Sequence, residues 1–262
     1  MPNGPLVYRQ RLVTRITHWV WAVSLFVLML TGLQIFNAFP SLHIGAESGF
    51  DYDNAILRIG AREVDGTPQG VTQVFGTTFD TTGFLGVSNS EARAFPAALT
   101  IPSYTSLALG RTVHFFFAWV LVTTLALWLI ASALNGHLRQ LIPTWADLRA
   151  LPQDLKDHAR LRFQHTADYN VLQKLAYASV LFLALPLMIL TGLSMSPAFN
   201  AAAPWLLDLF GGRQTARTIH FLTMLALIGF FAVHIAMILL AGPLNEMRSI
   251  VTGWYRTDGG KE

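Results

Sequence analysis

The chain contains no cysteine among its 262 residues. That excludes disulfides, thiolate metal sites, cysteine-held iron–sulfur clusters and c-type haem attachment, which requires C-x-x-C-H. Any metal or haem must be held by the eight histidines, by Met or by carboxylates. Charge is also scarce. Only 13% of residues are Asp, Glu, Lys or Arg, against 53% hydrophobic, whereas a soluble domain carries about 25% charge. No nucleotide-binding motif is present, so dehydrogenase-type chemistry does not belong to this chain. The net charge of +3 and pI near 9.4 fit a membrane protein with basic loops as well as a nucleic-acid binder, and the long uncharged stretches decide for lipid.

Four apolar segments are long enough to cross about 30 Å of hydrocarbon: roughly 16–38, 110–134, 171–196 and 216–241. None contains an acidic residue. The first follows Arg9, Arg11 and Arg15, but it is too long for a signal-peptide core and no small-residue cleavage site follows it, so it reads as an uncleaved span. Pro186 predicts a kink in the third span. With both termini inside, twelve Lys and Arg lie in cytoplasmic segments and six in outer ones, which predicts a bacterial inner-membrane protein with cytoplasmic termini. The expected architecture is an all-α four-helix transmembrane bundle, a single integral membrane domain over 1–262. It has a periplasmic insertion at 39–109 and a cytoplasmic loop at 135–170. An amphipathic stretch in that loop, Thr144 to Arg162, is expected to lie along the membrane surface.

The sequence also repeats. R-T-V-H-F at Arg111–Phe115 opens the second span and R-T-I-H-F at Arg217–Phe221 opens the fourth. L-M-L-T-G-L at Leu28–Leu33 and L-M-I-L-T-G-L at Leu187–Leu193 occupy the first and third. Two helix hairpins thus recur in the same direction, as parallel repeats related by an axis along the membrane normal. From Gly32 to Arg111 is 79 residues and from Gly192 to Arg217 is 25, so the first hairpin carries about 54 more, all in the outer segment. A bundle does not need them, and a long insertion of this kind is expected to serve a function, here the docking of a partner outside the membrane.

His18, His114, His220 and His234 fall within spans, where an ionisable group is a functional candidate by default. For any one of them alone, an interhelical hydrogen bond or a proton relay is an equal reading. Together they form a pattern. His220 and His234 are fourteen residues apart, about four helical turns, and so face the same way. The topology sets His114 level with His220 near the outer end and His18 level with His234 near the inner end, each pair drawn from two helices, as bis-imidazole ligation of haem iron requires. Two haem b groups are therefore expected, with metal ligands His18, His114, His220 and His234. Arg111 and Arg217, three residues before their histidines, are placed to pair with haem propionates or simply to anchor the span ends. Trp128 in the second span, and Ala178 in the third, stand where a second inner pair would need histidines. His43, His137, His158 and His165 lie in loops and are expected to be solvent-exposed, a part in a quinone or proton site being the alternative for His137, just inside the second span.

Four spans with one histidine in the first, one in the second and two fourteen apart in the last resemble the di-haem cytochrome b subunits of formate dehydrogenases and nickel–iron hydrogenases. The bacterial cytochrome b561 group is similar. The long outer segment resembles the thiosulfate-reductase-like cytochrome b subunits that accompany molybdenum oxidoreductases. The resemblance implies electron transfer between a periplasmic oxidoreductase docked on residues 39–109 and membrane quinone. It also implies a quinone site beside the inner haem at the start of the third span, where Y-N-V-L-Q-K places Asn170 and Gln173; helix capping is the alternative role of that pair. Two other functions compete: a self-contained quinone-linked oxidase of the cytochrome b561 type, and a haem-free proton-coupled transporter, which a pyridine haemochrome spectrum would separate at once.

Overall fold

The computed structural model describes residues 3–49, 51–163, 165–166 and 168–258. Four helices are long and apolar enough to cross a membrane. They are α1 (Leu12–Phe36), α2 (Leu107–Leu134), a third running from Val171 to Met195, and α9 (Arg213–Ala241). Their bounds lie within four residues of those expected. In lipid a helix satisfies every backbone polar group internally, and these helices turn large apolar side chains outward: Phe26, Phe116, Trp119, Phe231 and Leu239 are all exposed. The third span is α5 (Val171–Ser179), a π-helical turn (Val180–Ala184) and α6 (Leu185–Met195). The widened turn directly precedes Pro186, whose ring would collide with a carbonyl one turn back and which donates no hydrogen bond. The predicted irregularity is thus resolved as a π-turn.

Short helices α3 (His137–Leu141), α4 (Trp145–Ala159), α7 (Pro197–Ala202), α8 (Trp205–Leu209) and α10 (Pro243–Thr252) connect or follow the spans. The described residues cluster into two compact units. One, the termini unit, holds the chain up to Trp21, Thr123–Pro186 and the chain from Leu225 on; the other, the strand unit, holds Ala22–Val122 and Leu187–Met224.

In the termini unit, β1 (Leu6–Tyr8) pairs antiparallel with β8 (Trp254–Arg256), tying the two ends of the chain together. Helix α4 opens with a reciprocal capping box. Thr144 accepts from the Asp147 N–H, and the Asp147 carboxylate accepts from the Thr144 N–H at 2.8 Å. Lys174 of α5 binds the same carboxylate at 3.0 Å.

The strand unit corrects the all-α expectation. Residues 41–93 form β2 (Ser41–His43), β3 (Ala55–Val64), β4 (Thr67–Val74), β5 (Thr77–Asp80), β6 (Gly86–Ser88) and β7 (Glu91–Arg93). The first four make one antiparallel sheet in sequential order, and the last two a hairpin. The turns explain why. Asp65-Gly66, Phe75-Gly76 and Asn89-Ser90 each join adjacent strands through two residues with positive φ, the requirement of the tightest hairpins.

This segment is not a free loop. Phe36, Leu42, Ile59 and Ala94 share a buried cluster, with Phe221 of α9 packed against it. Phe95 N donates to Asn37 Oδ1 at 2.7 Å, Thr218 Oγ1 donates to His43 O at 2.7 Å, and Thr215 Oγ1 accepts from Gly45 N at 2.7 Å. The strands are thereby bound to the ends of α1 and α9, so a clean excision of 40–100 is expected to disturb those helix ends.

Gly66→Ala adds a Cβ that meets no neighbouring atom but forces an L-residue to hold φ +75. It should cost the β3–β4 hairpin about 1–2 kcal/mol, seen as faster amide exchange in 55–74 with α2 unchanged; equal exchange in both proteins contradicts the turn assignment. A second expectation concerns pH. The Thr144 backbone N–H, then Lys174 and the Thr144 hydroxyl, hold the Asp147 carboxyl down to about 2. A depressed carboxylate contributes stability above its unfolded value that is lost as pH falls through its folded one. Amide exchange in the first turn of α4 should therefore accelerate between about pH 4 and 2, and Asp147→Asn should accelerate it at neutral pH.

Candidate functional site

The strand unit brings His114 of α2 and His220 of α9 together, ring centres 6.5 Å apart and planes inclined by 56°. The termini unit brings His18 of α1 and His234 of α9 together, ring centres 6.4 Å apart and planes inclined by 54°. A metal–imidazole nitrogen bond is about 2.0 Å, and the ring centre lies about 1 Å beyond the nitrogen. Two imidazoles on opposite faces of one metal therefore have centres about 6 Å apart. Both pairs have this spacing.

Among the described residues no three His, Asp or Glu side chains gather into a metal site. Two imidazoles supply two coordination positions, and a planar macrocycle with four nitrogens supplies the rest. The donor set thus fits haem.

Local sequence prepares the first pair. Thr31 of α1 gives its hydroxyl proton to Val27 O at 2.8 Å, one turn back, and lies 2.9 Å from His114 Nδ1. Thr191 of α6 does the same with Leu187 O at 2.7 Å and His220 Nδ1 at 2.9 Å. A hydroxyl has one proton, so each threonine accepts from an imidazole Nδ1–H, and each Nε2 keeps its lone pair for a metal. Both threonines are fully buried. The adjacent glycines complete the arrangement: a Cβ at Gly32 would lie 3.6 Å from His114 Cε1, and one at Gly192 3.4 Å from His220 Cε1. The Thr-Gly of each L-T-G-L stretch therefore orients an imidazole and leaves it room. Spacing within single spans could not identify these partners, since the contact is between helices; the signal was the duplicated Thr-Gly.

The second pair is held differently. His18 Nδ1 is buried without a hydrogen-bond partner, and His234 stacks on Phe230 at 5.7 Å. Trp128 is buried edge-on to Trp21, and its Nε1 donates to Thr14 Oγ1 at 3.2 Å.

The two arginines expected at propionates are placed otherwise. Arg217 donates to Ser41 O at 2.8 Å and to Phe39 O, with its guanidinium over the Phe36 and Phe39 rings. It clamps β2 to α9. Arg111 is exposed and lies 5.6 Å over the Phe115 ring.

Asn170 and Gln173 form the capping box of α5. Asn170 Oδ1 accepts from Gln173 N at 2.8 Å and Gln173 Oε1 from Asn170 N at 3.3 Å. They sit in a polar cluster that sequence reasoning did not find. Arg9 Nη2 reaches Gln173 Oε1 at 3.4 Å, and its guanidinium lies between the Tyr169 and Tyr255 rings at 4.6 and 4.5 Å. Gln10 Nε2 donates to Tyr169 OH at 2.9 Å and Tyr255 OH to Glu246 at 3.0 Å. Burial raises the Tyr169 pKa above the phenol value.

The remaining histidines are not solvent-exposed side chains. His43 is buried between Asn54 at 2.9 Å and Ser41 at 3.0 Å. His137 is buried, bonded to Gln140 at 3.0 Å, and burial with the Arg11 charge lowers its pKa against the opposing pull of Gln140. His158 is half-buried on Asp154, and His165 bonds Ala241 O at 2.8 Å. His43 and His165 find partners distant in sequence, whereas His137 and His158 bond within their own helices.

Known proteins are similar to this chain over most of its length. A curated relative in Azospira oryzae, described as "Putative protein-methionine-sulfoxide reductase subunit YedZ1", is 25% identical over 229 residues, covering 86% of this chain and 87% of that protein. The family model for prokaryotic cytochrome b561 matches residues 9–253. With four membrane-crossing helices and two facing imidazole pairs already in place, the chain belongs to the prokaryotic cytochrome b561 family, membrane cytochromes b that carry haem b and transfer electrons.

Proposed function

We propose that this chain is the di-haem membrane subunit that carries electrons between a periplasmic oxidoreductase and the quinone pool. The observation that carries the reading is the pair of imidazole couples at 6.5 and 6.4 Å, each spaced for one iron. Bound haem b supplies a one-electron iron couple. The chain's part is to hold His114 and His220 about one iron and His18 and His234 about the other, to keep both sites dry, and to receive quinone. The two helix hairpins form a parallel repeat, supported by the matching Thr31–His114 and Thr191–His220 contacts at 2.9 Å. The whole chain acts as one membrane domain with its termini in the cytoplasm, as the distribution of Lys and Arg favours.

Quinone binds beside Asn170 and Gln173. Their backbone-capping role leaves the site its neighbours Arg9, Gln10 and Tyr169 as donors, and these suit a quinone carbonyl. Residues 39–109 form the docking surface for the periplasmic enzyme. A molybdenum-dependent reductase is the class that the resemblance implies, and the name of the Azospira relative, a reductase subunit, is in keeping with a partner oxidoreductase.

Pyridine haemochrome analysis of the purified chain should give two extractable b haems. His18→Ala and His234→Ala should each keep one haem, the same one, and lose electron exchange with quinone. His114→Ala and His220→Ala should each keep the other and lose electron entry from the partner. Different haems lost from His18→Ala and His234→Ala would refute the pairing. Thr31→Val and Thr191→Val should weaken haem retention about 10–100-fold, the usual effect of losing a ligand's hydrogen-bond partner, with Thr→Ser restoring it. Full haem occupancy in both valine variants under dilution would show that the threonines only fill space.

A further inference from the structure

The strand unit contains a cation whose surroundings are unfinished. Arg93, in β7, is 9% exposed, so its charge has been taken almost wholly out of water. Its Nη1 donates to Ser103 O at 2.6 Å, and its Nη2 to Gln34 Oε1 at 2.8 Å and Thr100 Oγ1 at 3.0 Å. Those acceptors are all neutral. Among the described residues the one carboxylate paired with it, Glu91, lies 3.6 Å away with a side chain 53% exposed, a weak surface pair. Arg93 Nε is buried with no acceptor. A buried guanidinium with neutral partners and an idle donor is costly unless an anion completes it.

Its position indicates which anion. Gln34, the acceptor for Arg93, is 2% exposed and lies three residues beyond Thr31 on α1, hence on the same helix face and about one turn further along. Thr31 holds His114. On α2, Gly110 lies four residues before His114 and packs against Gln34, where an added Cβ would come within 3.1 Å of Gln34 Cγ. The two helices therefore step together, from the Thr31–His114 contact to the Gln34–Gly110 contact, and Arg93 is bound at the second step. The arginines nearer in sequence to the ligands have their guanidinium groups elsewhere: Arg217 on the carbonyls of Phe39 and Ser41, Arg111 exposed over Phe115.

We propose that Arg93 supplies the cation that pairs with a propionate of the haem held by His114 and His220, which makes the 39–109 insertion part of that haem site as well as a docking surface. The inference rests on the di-haem reading above. A positive charge beside a haem favours its reduced form, so Arg93 raises the potential of that haem. Gln34 and Thr100 position the guanidinium, and they present it with Nε free for a carboxylate.

The test is a redox titration of the purified, haem-loaded chain with wild type, Arg93→Gln and Gln34→Glu, the last setting a competing carboxylate against Arg93 in nearly the same volume. The haem lost in His114→Ala identifies which of the two waves belongs to this site. In both variants that wave should shift at least tenfold toward the oxidised form, about 59 mV for a one-electron couple, while the other wave stays in place. Exposed Arg62→Gln in β3 should move neither. If Arg93→Gln does not insert, Gln34→Glu alone decides. A haem-loaded variant of either kind with both waves at wild-type potentials would reduce Arg93 to a structural clasp and overturn the proposal. A wild-type chain with fewer than two haems would instead overturn the di-haem reading on which it stands.

Discussion

The strand unit depends on one constraint: an imidazole inside an apolar helix can have its polar atoms satisfied only by the protein, because lipid offers nothing. For His114 and His220 the solution is the same. A threonine on the neighbouring helix gives its proton to its own backbone and turns its lone pair toward Nδ1. This one bond fixes ring orientation and tautomer together, and it leaves the Nε2 lone pair uncommitted. The rest of the strand unit follows from keeping these helices in register. The Phe36–Phe221 contact, 4.7 Å between ring centres, joins α1 to α9, and Arg217 with Thr218 ties α9 to β2. The other pair shows the alternative, with His234 stacked on Phe230 and His18 Nδ1 left without a partner. The two imidazole pairs thus lie in unlike surroundings.

The strands change how the first helix hairpin is finished. A helix hairpin whose connection is short closes on itself. Here the connection from α1 to α2 contains a folded sheet that is bound to the ends of α1 and α9 through hydrogen bonds and a shared apolar cluster. The sheet is continuous with the helix ends rather than a tether, and the strands bind Arg217 and carry Arg93.

Much of this was legible in the sequence. The four spans were, because a helix in lipid must be both long and apolar, and bounds such as 171–196 against Val171–Met195 follow from composition alone. So were the histidine pairs, because topology and helical period together fix their level and face. The strands were missed although their signal was present: Asp65-Gly66 between Val64 and Thr67 is a hairpin turn, but Gly, Thr and Asp in an extramembrane segment read equally as loop. The contacts of the two arginines were not legible for a different reason. Arg111 and Arg217 share their spacing with their histidines, yet sequence spacing does not record that β2 carbonyls would claim Arg217. The burial of His43 and His137 was out of reach because their neighbours, Asn54 and Trp128, are brought beside them only by folding.

We propose that each facing pair of imidazoles binds a single haem iron. Electron paramagnetic resonance of the oxidised, purified chain tests it most directly, because the ferric signal reports both axial ligands. Two low-spin species in equal amount, both with bis-imidazole character, are expected, one disappearing in His220→Ala and the other surviving. A single species, or a dominant high-spin signal from iron with one imidazole, would contradict it.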